Sequence, residues 1–276
     1  EQIARSQIDP REILVSTFIR PDRPITDPRH QRSVIYELRF SELPSPGAAG
    51  PDRSVPPYPL TRTGYQRVVW NDALTAAVVV SLDDPVPPGE DLPDDVHRRT
   101  SFVLNHKDPK IRELVSDALT GGTDIGAADK AEHLRKYVRD YVHSKDLRVG
   151  FATASEVART AEGDCTEHAV LLAAMLRAEG IPSRTVSGLI YVDHAFLGMK
   201  DIFGYHMWTQ AWLPAEVDDG RSAFRWVDLD PTRKTPFDAA HITLSVGAMD
   251  DKNLINDIVK VAPVLGRLSI KVIETH

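Results

Sequence analysis

The stretch between Asp164 and Pro182 leaves the chain few choices. It contains Ala169-Val-Leu-Leu-Ala-Ala-Met-Leu-Arg-Ala178, ten residues with a single charge. A helix lying on a surface alternates an apolar stripe with a polar face, and this run has no polar face. It therefore predicts a helix enclosed on most sides, with other elements packed around it. Asp164 is a side-chain cap for its start, Gly180 suits a left-handed exit, and Pro182 prevents the helix from resuming. Cys165 then falls in the first turn. There the helix dipole and the unpaired backbone N–H groups stabilise a thiolate, and the same N–H groups can hold a developing oxyanion. A small buried hydrophobe is the bland alternative for a lone cysteine.

The first hundred residues read as β-structure. Val34, Tyr36, Leu38 and Phe40 alternate with Ile35, Glu37 and Arg39, the period of two expected when one face of a strand is buried. Arg67–Asn71 and Leu74–Leu82 are rich in β-branched residues and predict strands joined by a turn at Asn71-Asp72. Glu12–Ile19 is a further short apolar run, ended by Pro21. Prolines and glycines crowd the segment from Pro44 to Pro59, which reads as a long loop. These signals predict a small antiparallel β-sandwich over residues 1–95, with the acidic, proline-rich Asp83–Asp95 as an inter-domain linker. Residues 96–276 then form a second domain. It opens with a helix capped at Asp108-Pro109 and stopped by Gly121-Gly122, followed by an amphipathic helix over Asp129–Asp146.

Composition removes several classes of function. Lys and Arg total 33 against 40 Asp and Glu, a net charge of −7, which gives no footprint for nucleic acid. The longest apolar stretch, Ala73–Leu82, is about half the length of a membrane span. One cysteine excludes an internal disulfide and a multi-thiolate metal cluster. Gly121 and Gly126 are spaced as in a phosphate-binding loop, but Ala127 stands where the lysine is needed.

Forty-one residues beyond Cys165 stands His206, and its segment Gly204–Leu213 predicts a strand carrying His206, Trp208, Gln210 and Trp212 on one face. Phe224–Thr232 predicts its antiparallel partner, with Asp218-Asp219-Gly220 as the turn between them. A thiol on a helix end, an imidazole on a strand and an acid on the next strand make up a nucleophile, base and orienting carboxylate. Asp228 and Asp230 share a face and compete for the last role. His168, one helical turn from Cys165, is a rival base, and Cys-x-x-His can also begin a metal site, but no second ligand cluster completes one. Trp208 is either a wall of the acyl pocket or an aromatic of a half-buried sheet.

In this order, the Gly163-Asp164-Cys165 entry, the helix ending Arg177-Ala-Glu-Gly-Ile-Pro-Ser-Arg184, the His206-Met207-Trp208 strand and the Trp226–Thr232 strand resemble the core motifs of the transglutaminase-like superfamily of papain-like thiol enzymes. The resemblance covers roughly residues 129–235, and what precedes it is similar, more loosely, to the β-rich N-terminal region of certain bacterial members. It implies an α+β fold, a papain-like transglutaminase core behind the β-sandwich. Cys165 would be the nucleophile, His206 the general base and acid, and Asp230 the orienting carboxylate. Asp230 is selected because the family's acid stands four residues after the strand's tryptophan, just before a Pro-Thr pair. Asp164, His168, Trp208 and Asp228 would be supporting residues.

The expected chemistry is acyl transfer from an amide of a peptide or protein through a thioester, with no metal or cofactor. Hydrolysis is preferred to cross-linking, since no loop of oxygen ligands suggests calcium control. Transamidation is the alternative, as is a non-catalytic binding or scaffold module on the same fold. The sequence opens on Glu1-Gln2 rather than methionine, from which an exported or periplasmic location is expected, with the cytoplasm as alternative. Membrane attachment would require a segment outside this sequence.

Overall fold

A computed structural model of the chain describes residues 15–41, 58, 60–87, 89, 91–120, 125–143, 152–217 and 221–276. Its elements are β1 (Ser33–Phe40), β2 (Gln66–Trp70), β3 (Thr75–Ser81), α1 (Pro109–Ala118), α2 (Ala127–Tyr141), α3 (Ala154–Thr160), α4 (Cys165–Ala178), β4 (Ser183–Val192), β5 (Ile202–Val217), β6 (Arg221–Leu229), β7 (His241–Gly247), α5 (Leu254–Val259) and β8 (Leu268–Thr275). Two antiparallel four-stranded sheets, ordered β2-β3-β1-β8 and β6-β5-β4-β7, combine with these helices into the mixed α and β architecture expected.

The helix predicted around Ala169–Ala178 is α4, and it is enclosed as its composition requires. Residues Glu167–Arg177 are buried without a break. Leu171, Leu172, Met175 and Leu176 share a core with Ile111 and Leu114 of α1, Leu134 and Val138 of α2, Val157 of α3, and Ala211, Leu213 and Leu229 of the second sheet. Leu189, Tyr191, Phe203, Ile242 and Leu244 of that sheet share a second core with Val34, Tyr36, Leu38, Val78 and Val80 of the first sheet. β4 is an almost unbroken buried run, as in a strand covered on both faces.

The strands of residues 1–95 take their place in this arrangement as β1, β2 and β3 of the first sheet. Among the described residues, the first sheet is one layer, and its opposing layer is the second sheet. It also draws β8 from far beyond residue 95, pairing Val34 with Thr275 and Phe40 with Leu268. Asp83–Asp95 is likewise no free linker. The Asp91 carboxylate accepts from both Nη1 and Nη2 of Arg184, at 2.7 and 2.8 Å, and its carbonyl accepts from Trp226 Nε1 at 2.9 Å. Gln66 ties the layers again: its amide donates to Thr243 O at 2.7 Å and accepts from Thr243 N at 2.8 Å, beside a bulge between β4 and β7.

Around residue 19 the expected strand is reduced to one bridge, Ile19 to Phe203, preceded by a helical turn at 15–16. The proline-rich loop of 44–57, the Gly121-Gly122 stop and the Asp218–Gly220 turn lie outside the described residues. Helix α1 starts at Pro109 with Asp108 as its cap, and α2 spans 127–141 where 129–146 was expected, with 144–146 outside the described residues.

Candidate active site

Helix α4 opens with a capping box. The Asp164 carboxylate accepts from Thr166 N at 2.9 Å, and Glu167 Oε2 accepts from Asp164 N at 3.0 Å. Both orphan donors of the entry are satisfied, which holds Cys165 at the first helical position. Gly163 is required here, because a Cβ would occupy the space of the Glu167 side chain that reaches back. Glu167 Oε1 also accepts from Ala152 N at 3.2 Å, fixing the segment before α3 to the same point. Of the expected supporting residues, Asp164 is therefore the cap. His168 donates from Nδ1 to the Asp164 carbonyl at 2.6 Å, and burial pushes its imidazole toward the neutral form.

Cys165 and His206 line one cleft of about 240 Å³, with Thr166, Ser187, Gly188, Tyr205, Met207 and Val261. His206 Nε2 donates to Asp230 Oδ2 at 2.9 Å. That bond leaves Nδ1 as the nitrogen available to the thiol across the cleft. Burial alone would make His206 less basic, but the Asp230 carboxylate, and after it Cys165, raise its pKa to about 10. Imidazolium is thus the form this site favours.

Asp230 is fully buried and fully bonded. Oδ1 accepts from Thr232 N at 2.8 Å and from Thr232 Oγ1 at 2.7 Å, while Oδ2 meets both His206 and His241, the latter at 3.2 Å. Burial opposes its charge, yet the two imidazoles hold the carboxyl well below the usual range. The buried Arg135 of α2, itself paired with Glu132, donates to the carbonyls of Asp230 and Arg233 at 3.1 and 2.6 Å, clamping the turn.

The competing acid has a different role. Asp228 Oδ1 accepts from Trp208 Nε1 at 2.7 Å and from Gln210 Nε2 at 2.8 Å. Those bonds verify the shared face of Trp208 and Gln210 and turn Asp228 away from His206. Trp208 does not line the cleft. It is buried beside His206, with ring centroids 6.0 Å apart, and beneath Gly188, whose Cβ position its ring would fill. Asp228 Oδ2 is buried with no hydrogen-bond partner among the described residues, and burial raises its pKa to about 6 despite the two donors. The unfolded carboxyl loses its proton first, so folding stability falls as pH rises from about 4 through about 6. Asp228→Asn is expected to remove that dependence, worth roughly 2–3 kcal/mol, in urea unfolding at several pH values. Parallel profiles for wild type and variant would contradict it.

Sequence reasoning missed His241 and Asp238. Both ring nitrogens of His241 face carboxylate oxygens, Nδ1 to Asp238 Oδ1 at 2.8 Å and Nε2 to Asp230 Oδ2. The Asp-x-x-His spacing at the start of β7 was the available signal. His206, Asp230 and His241 each offer a ligand atom within 4.8 Å of the others, a grouping a metal ion could use, but the hydrogen bonds just given account for all three atoms.

The sequence model of the Transglutaminase-like superfamily matches residues 113–231. Over this segment the chain is similar to a transglutaminase-like core. The core contains Cys165, His206 and Asp230 and ends before Asp238 and His241. Among curated relatives, the uncharacterized protein Rv2569c of Mycobacterium tuberculosis is 28% identical over 203 residues, covering 71% of this chain and 58% of that protein. The uncharacterized protein ML0607 of Mycobacterium leprae is 26% identical over 205 residues, covering 72% and 60%. The chain thus spans less than two thirds of these relatives. Among solved structures, a candidate cysteine protease from Cytophaga hutchinsonii aligns over 88% of this chain and 86% of its own, at 14% identity and a TM-score of 0.47. The periplasmic domain of TgpA from Pseudomonas aeruginosa aligns over 82% and 92%, at 14% identity and a TM-score of 0.43. Among the described residues, no helix is long and apolar enough to cross a membrane.

Proposed function

We propose that the transglutaminase-like core is a cysteine-dependent acyl-transfer enzyme acting on amide bonds of peptides or proteins, with water as the usual acceptor. The observation that carries this reading is the placement of Cys165, at a helix opening, in one cleft with an imidazole whose far nitrogen is held by a buried carboxylate. His206 takes the thiol proton, and the Asp230 carboxylate stabilises the resulting imidazolium. The thiolate attacks the amide carbonyl, and the backbone N–H at the opening of α4 is the donor for the oxyanion. His206 then returns the proton to the departing amine, leaving a thioester on Cys165. Water, deprotonated by His206, releases the acid and restores the thiol.

Asp230→Asn keeps the shape of the carboxylate but not its charge, and is expected to lower kcat/KM by ~10²–10⁴, the range of the serine-triad precedent. Asp228→Asn is expected to cost less than about tenfold, since it touches His206 only through Trp208. A larger loss at Asp228 would move the orienting role to that residue. The acceptor is read on a peptide substrate with a fluorescent primary amine present. Free acid as the main product supports hydrolysis, and dominant amine incorporation would replace it with transamidation. A wild-type Cys165 that resists alkylation at neutral pH until the protein unfolds would leave the binding-module reading.

A further inference from the structure

Beyond the matched core, at the start of β7, a second imidazole lies against the same carboxylate oxygen as His206. His241 is completely buried. Its Nε2 is 3.2 Å from Asp230 Oδ2, and its Nδ1 is 2.8 Å from Asp238 Oδ1 and 3.1 Å from the Asp238 carbonyl. A neutral imidazole has one donor and one lone pair, so either tautomer would turn a lone pair toward an acceptor oxygen. Only the doubly protonated ring donates on both sides. The cation then lies between two carboxylates, the balance that burial of charge demands. The groups facing it are Asp230 and Asp228 from β6 and its end, Asp238 from the turn before β7, and His206 from β5. Phe237 and Trp208 close the remaining sides of the ring.

We infer that His241 is a positioning residue, held as an imidazolium between Asp230 and Asp238, which locks the carboxylate that orients His206. The inference rests on the acyl-transfer reading. Its substance is the hydrogen-bond inventory of Asp230. A carboxylate has about four acceptor positions. Here Thr232 N and Thr232 Oγ1 take Oδ1, and His206 and His241 take Oδ2. With His241 in place, the carboxylate cannot rotate about its own axis without breaking a charge-assisted bond. Without it, Oδ2 keeps His206 as its sole donor, and one of the four bonds that fix the plane of the group is lost. The orientation of His206 toward the thiol is then less well defined.

Two experiments test this. In the wild-type protein, nitrogen-15 spectra of the histidine rings should show both nitrogens of His241 protonated at about pH 8, well above the ordinary imidazole range. A bare nitrogen on His241 overturns the inference. The second is a double-mutant cycle using Asp238→Asn with His241→Gln, a pair that removes both charges together and keeps amide hydrogen-bonding groups in place. In the wild-type background this pair is expected to lower kcat about tenfold or more with KM within about twofold, and to slow Cys165 alkylation in step. In the Asp230→Asn background the same pair should add less than about twofold to the loss of alkylation rate, because its effect travels only through Asp230. Equal factors in both backgrounds, or no loss in either, would mean that His241 merely supports the fold. Failure of the acyl-transfer reading is read separately, as a wild-type Cys165 that does not alkylate. A bare His241 nitrogen beside a reactive Cys165 rejects the positioning role alone.

Discussion

Cys165→Ala is expected to abolish turnover, with a loss in kcat on the order of 10⁶, as for removal of the nucleophile from other covalent enzymes. The chain has one cysteine, so no other thiol can substitute. The first turn of α4 does contain Thr166, and a hydroxyl there is a far weaker nucleophile than a thiolate. The fold should tolerate the change, because the capping box is built from Asp164, Thr166 and Glu167 and does not use the sulfur. Thermal unfolding of the variant should therefore stay within a few degrees of wild type. Labelling by a thiol-directed electrophile, read by intact mass, should fall from one adduct to none. Substantial residual turnover by a folded Cys165→Ala protein would remove the thiol from the mechanism.

His206→Ala is expected to be the next most damaging change, at about 10⁴ or more in kcat. It removes both the base that takes the thiol proton and the acid that returns it to the leaving amine. Two further measurements distinguish this from general damage. Alkylation of Cys165 near neutral pH should slow, since its imidazolium partner is gone. Stability should also change in a pH-dependent way. The folded pKa of His206, at about 10, lies above the unfolded value, so its contribution is complete below about pH 6.5 and is lost as pH rises through about 10. The gap in unfolding free energy between wild type and variant should accordingly narrow across that window. A constant gap would contradict the ion pair with Asp230.

The parts of this molecule legible in the sequence are those whose signals are local. Helix α4 carries its cap, its apolar body and its stop within a few residues of one another, and α1 carries Asp108-Pro109 in the same way. The period of two in β1 is equally local, and Val34, Tyr36, Leu38 and Phe40 are all buried as it requires. Short α3 was overlooked, although Thr153 and Glu156 form a capping box that marks its start. What escaped entirely depends on partners far along the chain. Nothing in Ser33–Phe40 says that its second neighbour is Leu268–Thr275, and nothing in Asp91 announces Arg184.

The candidate site divides along the same line. Period-two spacing puts Asp228 and Asp230 on one face, but only the paired register of β5 and β6 decides which of them meets His206. The turn after β6, clamped by Arg135 from α2, carries Asp230 to the imidazole, while Asp228 stays within the sheet opposite Gln210. His241 was missed for a different reason, since its Asp-x-x-His spacing is a weak signal alone. A histidine followed by alternating apolar residues reads as the beginning of an ordinary strand, and its meaning comes from the carboxylates at either end of the ring.

The pairing of β1 with β8 sets a timetable for synthesis. Residues 33–40 emerge from the ribosome early, yet one flank of that strand stays open until residues 268–275 have followed. The closure joins segments separated by nearly the whole sequence, the slowest and entropically most costly kind of contact. Until it forms, the first sheet, which shares a core with the second, lacks a strand, and the second sheet supplies His206. A nascent chain that has already made Cys165 therefore carries the thiol on an incomplete scaffold. Arming of the site waits until residues 268–275 have been made, and a chain stalled short of residue 268 is left with an exposed strand edge that invites self-association.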